Sequence, residues 1–291
     1  MNRALDVLFI ICQYLAPQHL LSRAAGKIAD CEWPWLKNNF ITWFIGRYDV
    51  NMQEAAEPEP FNYASFNAFF TRELHADARP IDGDQETIVC PADGAISQLG
   101  DIENGRIFQA KGQDFSLVEL LGGDEEIARP FDGGKFATVY LSPKDYHRVH
   151  MPLAGKLKTM VYVPGDLFSV NGTTADNVPR LFARNERAVC IFETEIGPMA
   201  VILVGAMIVA GIETVWAGQV APIKREIRTH QYMQRRKTIN LKKGEEMGRF
   251  KLGSTAIVLF GPEVMNWLDS YQAGTPTRMG EAMGSIRPTE N

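Results

Sequence analysis

The sequence predicts an α+β protein, with a mainly antiparallel β-sandwich or barrel-like core preceded by an aromatic-rich helical segment. Two observations carry this. Apolar residues recur at helical spacing near the start of the chain. From about residue 80 the pattern changes to many short β-branched and aromatic runs between Gly, Asp and Asn turns. We therefore divide the 291 residues into a helical segment, 1–75, and a β-rich domain, 76–291.

In the first segment Leu5, Leu8, Phe9, Cys12 and Leu15 share a helical face. Trp33, Trp35, Leu36, Phe40, Trp43, Phe44 and Tyr48 follow, interleaved with Lys37 and Arg47. Helices with such faces usually pack on a core. Trp and Tyr beside basic residues also suit a membrane interface with anionic lipid. The apolar run Val7 to Cys12 is too short to span a bilayer, and no small-residue cleavage site follows it. Ser65 is placed to cap a helix carrying Phe66, Phe69 and Phe70, after a linker at Glu57-Pro58-Glu59-Pro60.

The expected strands are Ile88-Val89-Cys90, Ala95 to Leu99, Ile107 to Ala110, Phe136 to Leu141, Leu157 to Val163, Ala188 to Glu193, Met199 to Val209, Ile212 to Trp216 and Ile257 to Phe260. Ser116 and Glu119 form a capping-box pattern for one intervening helix, which Gly122-Gly123 closes. Ile196-Gly197-Pro198 reads as a hairpin loop.

A formal charge of −5 argues against a nucleic-acid binder. Cys12, Cys31, Cys90 and Cys190 are widely spaced, with no metal-type pattern, and read as reduced thiols in a cytosol-facing protein. Basic residues dominate 224–251, as in a solvated loop or a surface for anionic lipid or a phosphate-bearing substrate.

The candidate chemistry lies in Arg249 to Phe260, where Gly253-Ser254 precedes an apolar strand. A Gly here can simply relieve crowding at a bulge. Alternatively, Ser254 attacks the Gly253 carbonyl, which no side chain shields. A serine hydroxyl needs a base for that attack. His147 and His150 lie together in Tyr146-His147-Arg148-Val149-His150-Met151-Pro152, and Ser142-Pro143 ahead of them can start a short helical turn. Their spacing of three also occurs in metal sites, but no partner cluster is evident. The orienting acid is Asp93 in Pro91-Ala92-Asp93-Gly94, with Asp101, Asp132 and Asp145 as rivals; Asp-Gly between two strands is equally a hairpin signal.

Leu252-Gly253-Ser254-Thr255 resembles the cleavage motif of phosphatidylserine decarboxylase proenzymes of bacterial type. The Tyr146–Pro152 stretch resembles that family's histidine motif, and Pro91–Gly94 its aspartate motif. Val163 to Asn171 and Leu181 to Arg187 are similar to further family blocks, and the likeness covers roughly residues 60 to 260. The resemblance implies that Asp93, His150 and Ser254 drive self-cleavage between Gly253 and Ser254, giving a large chain 1–253 and a small chain 254–291 that stay associated. It implies that Ser254 becomes a covalent pyruvoyl group, the cofactor, which forms a Schiff base with the substrate amine and acts as electron sink. His147 is left for substrate contact or protonation. Phosphatidylserine is the implied substrate, with phosphatidylethanolamine and CO2 as products and no metal. The expected setting is the cytoplasmic face of the cell membrane, held peripherally to an anionic surface by residues 1–75. Homo-oligomerisation stays open. A serine hydrolase using the same three residues, and a non-enzymatic membrane-surface module, are the competing classes.

Overall fold

The computed structural model describes residues 3–110, 112–208, 211–222, 226–233 and 238–288; the side chains of Arg3 and Ser254 lie outside that description. Three helices open the chain: α1 (Arg3–Leu15), α2 (Gln18–Ala29) and α3 (Pro34–Tyr48). Pro34 sits in the first turn of α3, where its missing N–H costs nothing. Ser65 caps the short helix α4 (Phe66–Phe70), its Oγ accepting from Ala68 N–H. Phe44 of α3 and Phe66, Phe69 and Phe70 of α4 then bury together as an aromatic cluster.

The helix α2 is inverted relative to an ordinary surface helix. Its buried residues are Gln18, Ser22, Gly26 and Ala29, whereas Leu20, Leu21 and Ile28 are exposed. Gln18 and Gln13 anchor this region by accepting from the backbone N–H groups of Leu167 and Ser169. Leu5, Leu8 and Leu15 of α1 are also exposed.

The β-rich part is built around a nine-stranded sheet. Its main path runs Arg228–Gln231, Gly155–Val163, Arg187–Thr194, Gly197–Val204, Ser254–Phe260, Lys135–Leu141, Gly94–Asp101 and Pro276–Thr277, with Asn240–Leu241 pairing onto Gly155–Val163. All pairings in it are antiparallel. Ala256, Val258 and Phe260 join one apolar cluster and Ile257 and Leu259 the other, as period-2 alternation requires of a strand covered on both faces. A four-stranded sheet orders Gly218–Ala221, Gly211–Thr214, Glu246–Lys251 and Arg148–His150. A three-stranded sheet orders Thr87–Val89, Ala282–Ile286 and Met265–Trp267.

The expected α+β architecture is present, and the hairpin at Gly197, the Ser65 cap and the Ser116-capped helix Leu117–Leu120 are where the sequence places them. Three local expectations change. Pro91–Gly94 does not close a hairpin: Thr87–Val89 pairs with Ala282–Ile286, and Gly94–Asp101 pairs with Lys135–Leu141. The residues after Ser142-Pro143 form a turn and then the extended Arg148–His150, because these edge residues pair with Glu246–Lys251. The strand from Gly197 ends at Val204, and Val209 lies outside the described residues.

Candidate active site

The Gly253–Ser254 link lies where the Glu246–Lys251 strand hands over to the central strand Ser254–Phe260. Two consecutive left-handed residues make the turn: Leu252 at φ 75° and Gly253 at φ 88°. Gly tolerates this conformation, while Leu252 bears about 1–2 kcal/mol of strain. The Leu252 side chain packs against the cluster of Phe44, Phe66, Phe69 and Phe70, which holds it there. At Ser254 the backbone pairs with Leu141, two residues before the turn that carries the histidines to the site.

His147 is fully buried, and its ring lies against Phe70 at a centroid distance of 4.0 Å. A carbonyl oxygen can only accept, so Nδ1–H donates to Asp145 O at 2.8 Å and the lone pair stays on Nε2. That Nε2 is buried without a hydrogen-bond partner among the described residues. It lies 3.8 Å from the point where a Cβ on Gly253 would sit. Burial first, then the nearby Arg72 charge, push the imidazole down to about 3 against the hydrogen bond it donates to Asp145 O, so it is neutral at ordinary pH.

His150 is also buried, with different partners. Its Nδ1 donates to Gly244 O at 2.9 Å, so Nε2 accepts from the Tyr146 hydroxyl at 3.0 Å. Burial lowers its basicity too. The His150 backbone N–H donates to Pro91 O at 2.8 Å, which sets this strand against the loop that carries Asp93.

Asp93 is 7 % exposed, and its carboxylate is fully engaged. Arg79 Nε donates to Oδ1 at 3.0 Å and to Oδ2 at 3.1 Å, Arg79 Nη2 donates to Oδ2, and Met279 N–H donates to Oδ1 at 2.8 Å. Among the described residues no hydrogen bond joins Asp93 to His150 or His147. The rivals serve elsewhere: Asp101 pairs with Lys135, Asp132 accepts from Gly105 N–H, and Asp145 accepts from Ser142 N–H. No group of three or more His, Cys, Asp or Glu side chains among the described residues could hold a metal.

A largely apolar cleft of about 370 Å³ opens onto Gly253, lined by Phe40, Trp43, Tyr48, Phe70 and Leu252 among others. The structure thus brings both histidines, the Gly253–Ser254 link and the Asp93 loop into one region. Sequence reasoning missed Arg79 and singled out neither Tyr146 nor Arg72. An Arg shortly before a buried Asp is no local signal, and Tyr146 stood in the motif as one more aromatic. Of the basic stretch, Lys224, Arg225 and residues 235–237 lie outside the described residues. Arg228, Arg249 and Lys251 pair with Glu226, Glu246 and Glu213.

An apolar cleft that ends on a bent Gly–Ser link, with two buried imidazoles and a paired buried carboxylate gathered near that link, defines an acid–base enzyme site on an α+β scaffold. Comparison with known proteins makes this specific. A family model described as phosphatidylserine decarboxylase matches residues 66–285, and a second described as PSD matches residues 8–49. A phosphatidylserine decarboxylase proenzyme of Pseudomonas putida (strain W619) is 66 % identical over 95 % of this chain and 96 % of its own length. The proenzymes of the same name from Pseudomonas fluorescens (strain Pf0-1) and Ectopseudomonas mendocina (strain ymp) are 65 % and 64 % identical, over 95 % and 96 % of this chain and 97 % and 98 % of their own. The chain belongs to the phosphatidylserine decarboxylase family. It is an enzyme, a carboxy-lyase of phospholipid metabolism.

Proposed function

We propose that the chain is a self-processing proenzyme that decarboxylates phosphatidylserine to phosphatidylethanolamine and CO2. The observation that carries this reading is the buried, unpartnered His147 Nε2 beside the Gly253–Ser254 link, at the end of an apolar cleft. Ser254 attacks the Gly253 carbonyl, and the peptide becomes an ester. His150 takes the serine proton and Asp93 stabilises the resulting imidazolium; to do so, His150 Nε2 exchanges its hydrogen bond from Tyr146 for one with the serine. Elimination and hydrolysis then leave a pyruvoyl group at position 254.

The surroundings of residue 254 fit such a group. A neutral imidazole lone pair and a largely apolar wall suit a carbonyl that must react with an amine. A pyruvoyl carbonyl supplies the electron sink that no ordinary side chain provides. The chain's own residues do the rest. Phe40, Trp43 and Phe70 exclude water and hold the lipid's apolar part. His147, fixed by Asp145 O and Phe70, is placed to take up a proton at its free Nε2 and pass it to the carbon that loses the carboxyl group.

We further place the protein peripherally at the cytoplasmic face of a membrane. The inverted α2, the exposed Leu residues of α1, and exposed Trp33, Trp35 and Trp43 give an apolar face for the interface. Among the described residues no single helix is long and apolar enough to cross a bilayer. Free thiols at Cys12, Cys31, Cys90 and Cys190 suit a reducing compartment.

Intact-mass measurement of the purified protein tests the central reading. Two pieces divided at Gly253, with the smaller blocked at its amino end, are expected. One full-length, active chain with unmodified Ser254 would overturn it.

A further inference from the structure

Arg72 is an anomaly of charge. Its side chain is 4 % exposed, yet both Nε and Nη1 are buried without a hydrogen-bond partner among the described residues. Nη2 reaches Lys144 O at 3.3 Å, and the guanidinium lies over the Phe69 ring at 5.5 Å. None of the ion pairs found among the described residues includes it. Its neighbours Arg148 and Arg249 share Glu246, and Arg148 also pairs with Glu73. Burying a cation without an anion is strongly unfavourable. A fold that keeps such a group gains from it at another stage.

The neighbourhood indicates which stage. Phe69, under the guanidinium, belongs to the aromatic cluster on which Leu252 packs. Phe70 of that cluster holds His147, whose Nε2 faces Gly253. The Arg72 charge reaches His147, and Lys144, its carbonyl partner, lies in the turn leading to that histidine. The guanidinium does not line the apolar cleft that would receive a lipid; it borders a side cavity whose other cations, Arg148 and Arg249, are already paired with Glu246. Its links to His147 and Leu252 favour an anion that the chain makes for itself.

We propose that Arg72 is the receptor for the carboxylate that self-processing creates at Gly253, and so assists its departure. The inference rests on the self-processing reading above. In the ester formed by Ser254, a base removes the proton from the residue 254 Cα. The electron pair of that C–H bond forms the Cα–Cβ double bond, and the Cβ–O bond breaks. Both electrons of that bond leave on oxygen, as the Gly253 carboxylate. Negative charge appears in this step and not in the preceding acyl shift, which turns an amide and a hydroxyl into an ester and a free amine. A cation that is unpaired beforehand and paired afterwards favours departure and draws the new chain end away from residue 254.

The test separates the two steps. Arg72→Gln and Arg72→Lys full-length proteins are followed on denaturing gels, with and without hydroxylamine, which cleaves esters. Arg72→Gln is expected to form the ester but eliminate tenfold or more slowly. Hydroxylamine then releases a 254–291 piece whose mass shows an intact amino-terminal serine. Arg72→Lys keeps the charge and should process spontaneously. Wild-type processing by Arg72→Gln would overturn the proposal, including where decarboxylation alone is lost, since the cation would then serve the lipid. A hydroxylamine-resistant Arg72→Gln protein, behaving like Ser254→Ala, would also overturn it. If the wild-type chain is never processed, the self-processing reading fails, and this one with it.

Discussion

Arg79 grips Asp93 through two nitrogens, Nε at 3.0 Å from Oδ1 and Nη2 at 2.5 Å from Oδ2. The same Nη2 binds Glu54 at 2.8 Å, and Glu54 in turn meets Arg278 at 3.2 Å. One cluster of charges thus ties the amino-terminal segment, the candidate acid and the carboxy-terminal piece. Both Arg79 and Asp93 side chains are about nine-tenths buried, so removing Arg79 leaves the Asp93 carboxylate buried with no cation and only the Met279 N–H as its partner. We expect Arg79→Gln to cost about 3 kcal/mol by denaturant unfolding. Asp93→Asn should fold yet process about a hundredfold more slowly or worse, because an amide cannot stabilise imidazolium. Processing of folded Asp93→Asn at the wild-type rate would remove Asp93 from the mechanism.

The two histidines should separate the two reactions. His150→Ala is expected to stay uncleaved, and His147→Ala to be cleaved but to decarboxylate at least a hundredfold more slowly. Gel mobility reads the first reaction and release of labelled CO2 the second. Because His147 Nε2 lies so close to Gly253, the reverse pattern is the informative failure: it would make His147 the base for cleavage.

Acid should weaken the fold through the same imidazoles. An unfolded histidine takes its proton near pH 6.5, whereas folded His147 resists until about 3. Between these values the unfolded state binds more protons. Stability is therefore full above about pH 6.5 and falls as the pH drops toward 3, by at most about 1.4 kcal/mol per unit. His150, lowered for the same reason, adds with the same sign. Urea midpoints of uncleaved Ser254→Ala protein across this range should show the slope, and adding His147→Gln should flatten it. Equal slopes in the two proteins would show that His147 is protonated in the native state.

Membrane attachment should depend on apolar side chains more than on charge. Replacing Leu20, Leu21 and Ile28 by Ser alters the exposed face of α2 without touching its buried Gln18, Ser22 and Gly26. Sedimentation with vesicles at high salt should drop severalfold in that variant. Undiminished binding would assign attachment to another surface.

Much of the scaffold was legible because short β-branched runs and caps are local signals. The sequence placed Ile257–Phe260, the Gly197 hairpin and the Ser65 cap correctly. It also singles out the Gly253–Ser254 link and the two histidines, of which the fold sets His147 beside Gly253, because distinctive residue types cluster there. Other features were not legible. The Asp93–Gly94 pair carries a strong hairpin signal, yet the flanking strands find partners far along the chain, and tertiary pairing overrides turn chemistry. Arg79 and Arg72 owe their meaning to groups brought beside them by folding, so no spacing announces them. For α2, helical periodicity gives the apolar face but not the side on which the protein will lie.

The strand Ser254–Phe260 is a central member of its sheet, paired along its length with Lys135–Leu141 and, from Thr255 onward, with Gly197–Val204. Downstream, Pro276–Thr277 and Ala282–Ile286 join two different sheets. If the backbone is cut before Ser254, as proposed, the molecule becomes a dimer of unequal parts whose interface is its own core. The parts would remain together because residues 256–260 complete both large apolar clusters. Unfolding would then become a one-way event. Before the cut the strand finds its slot as part of one chain; afterwards it must return from solution, at a rate that falls with dilution. Maturation would thus turn a reversible fold into a kinetically trapped one, and the uncut Ser254→Ala chain is the form in which reversibility can be measured.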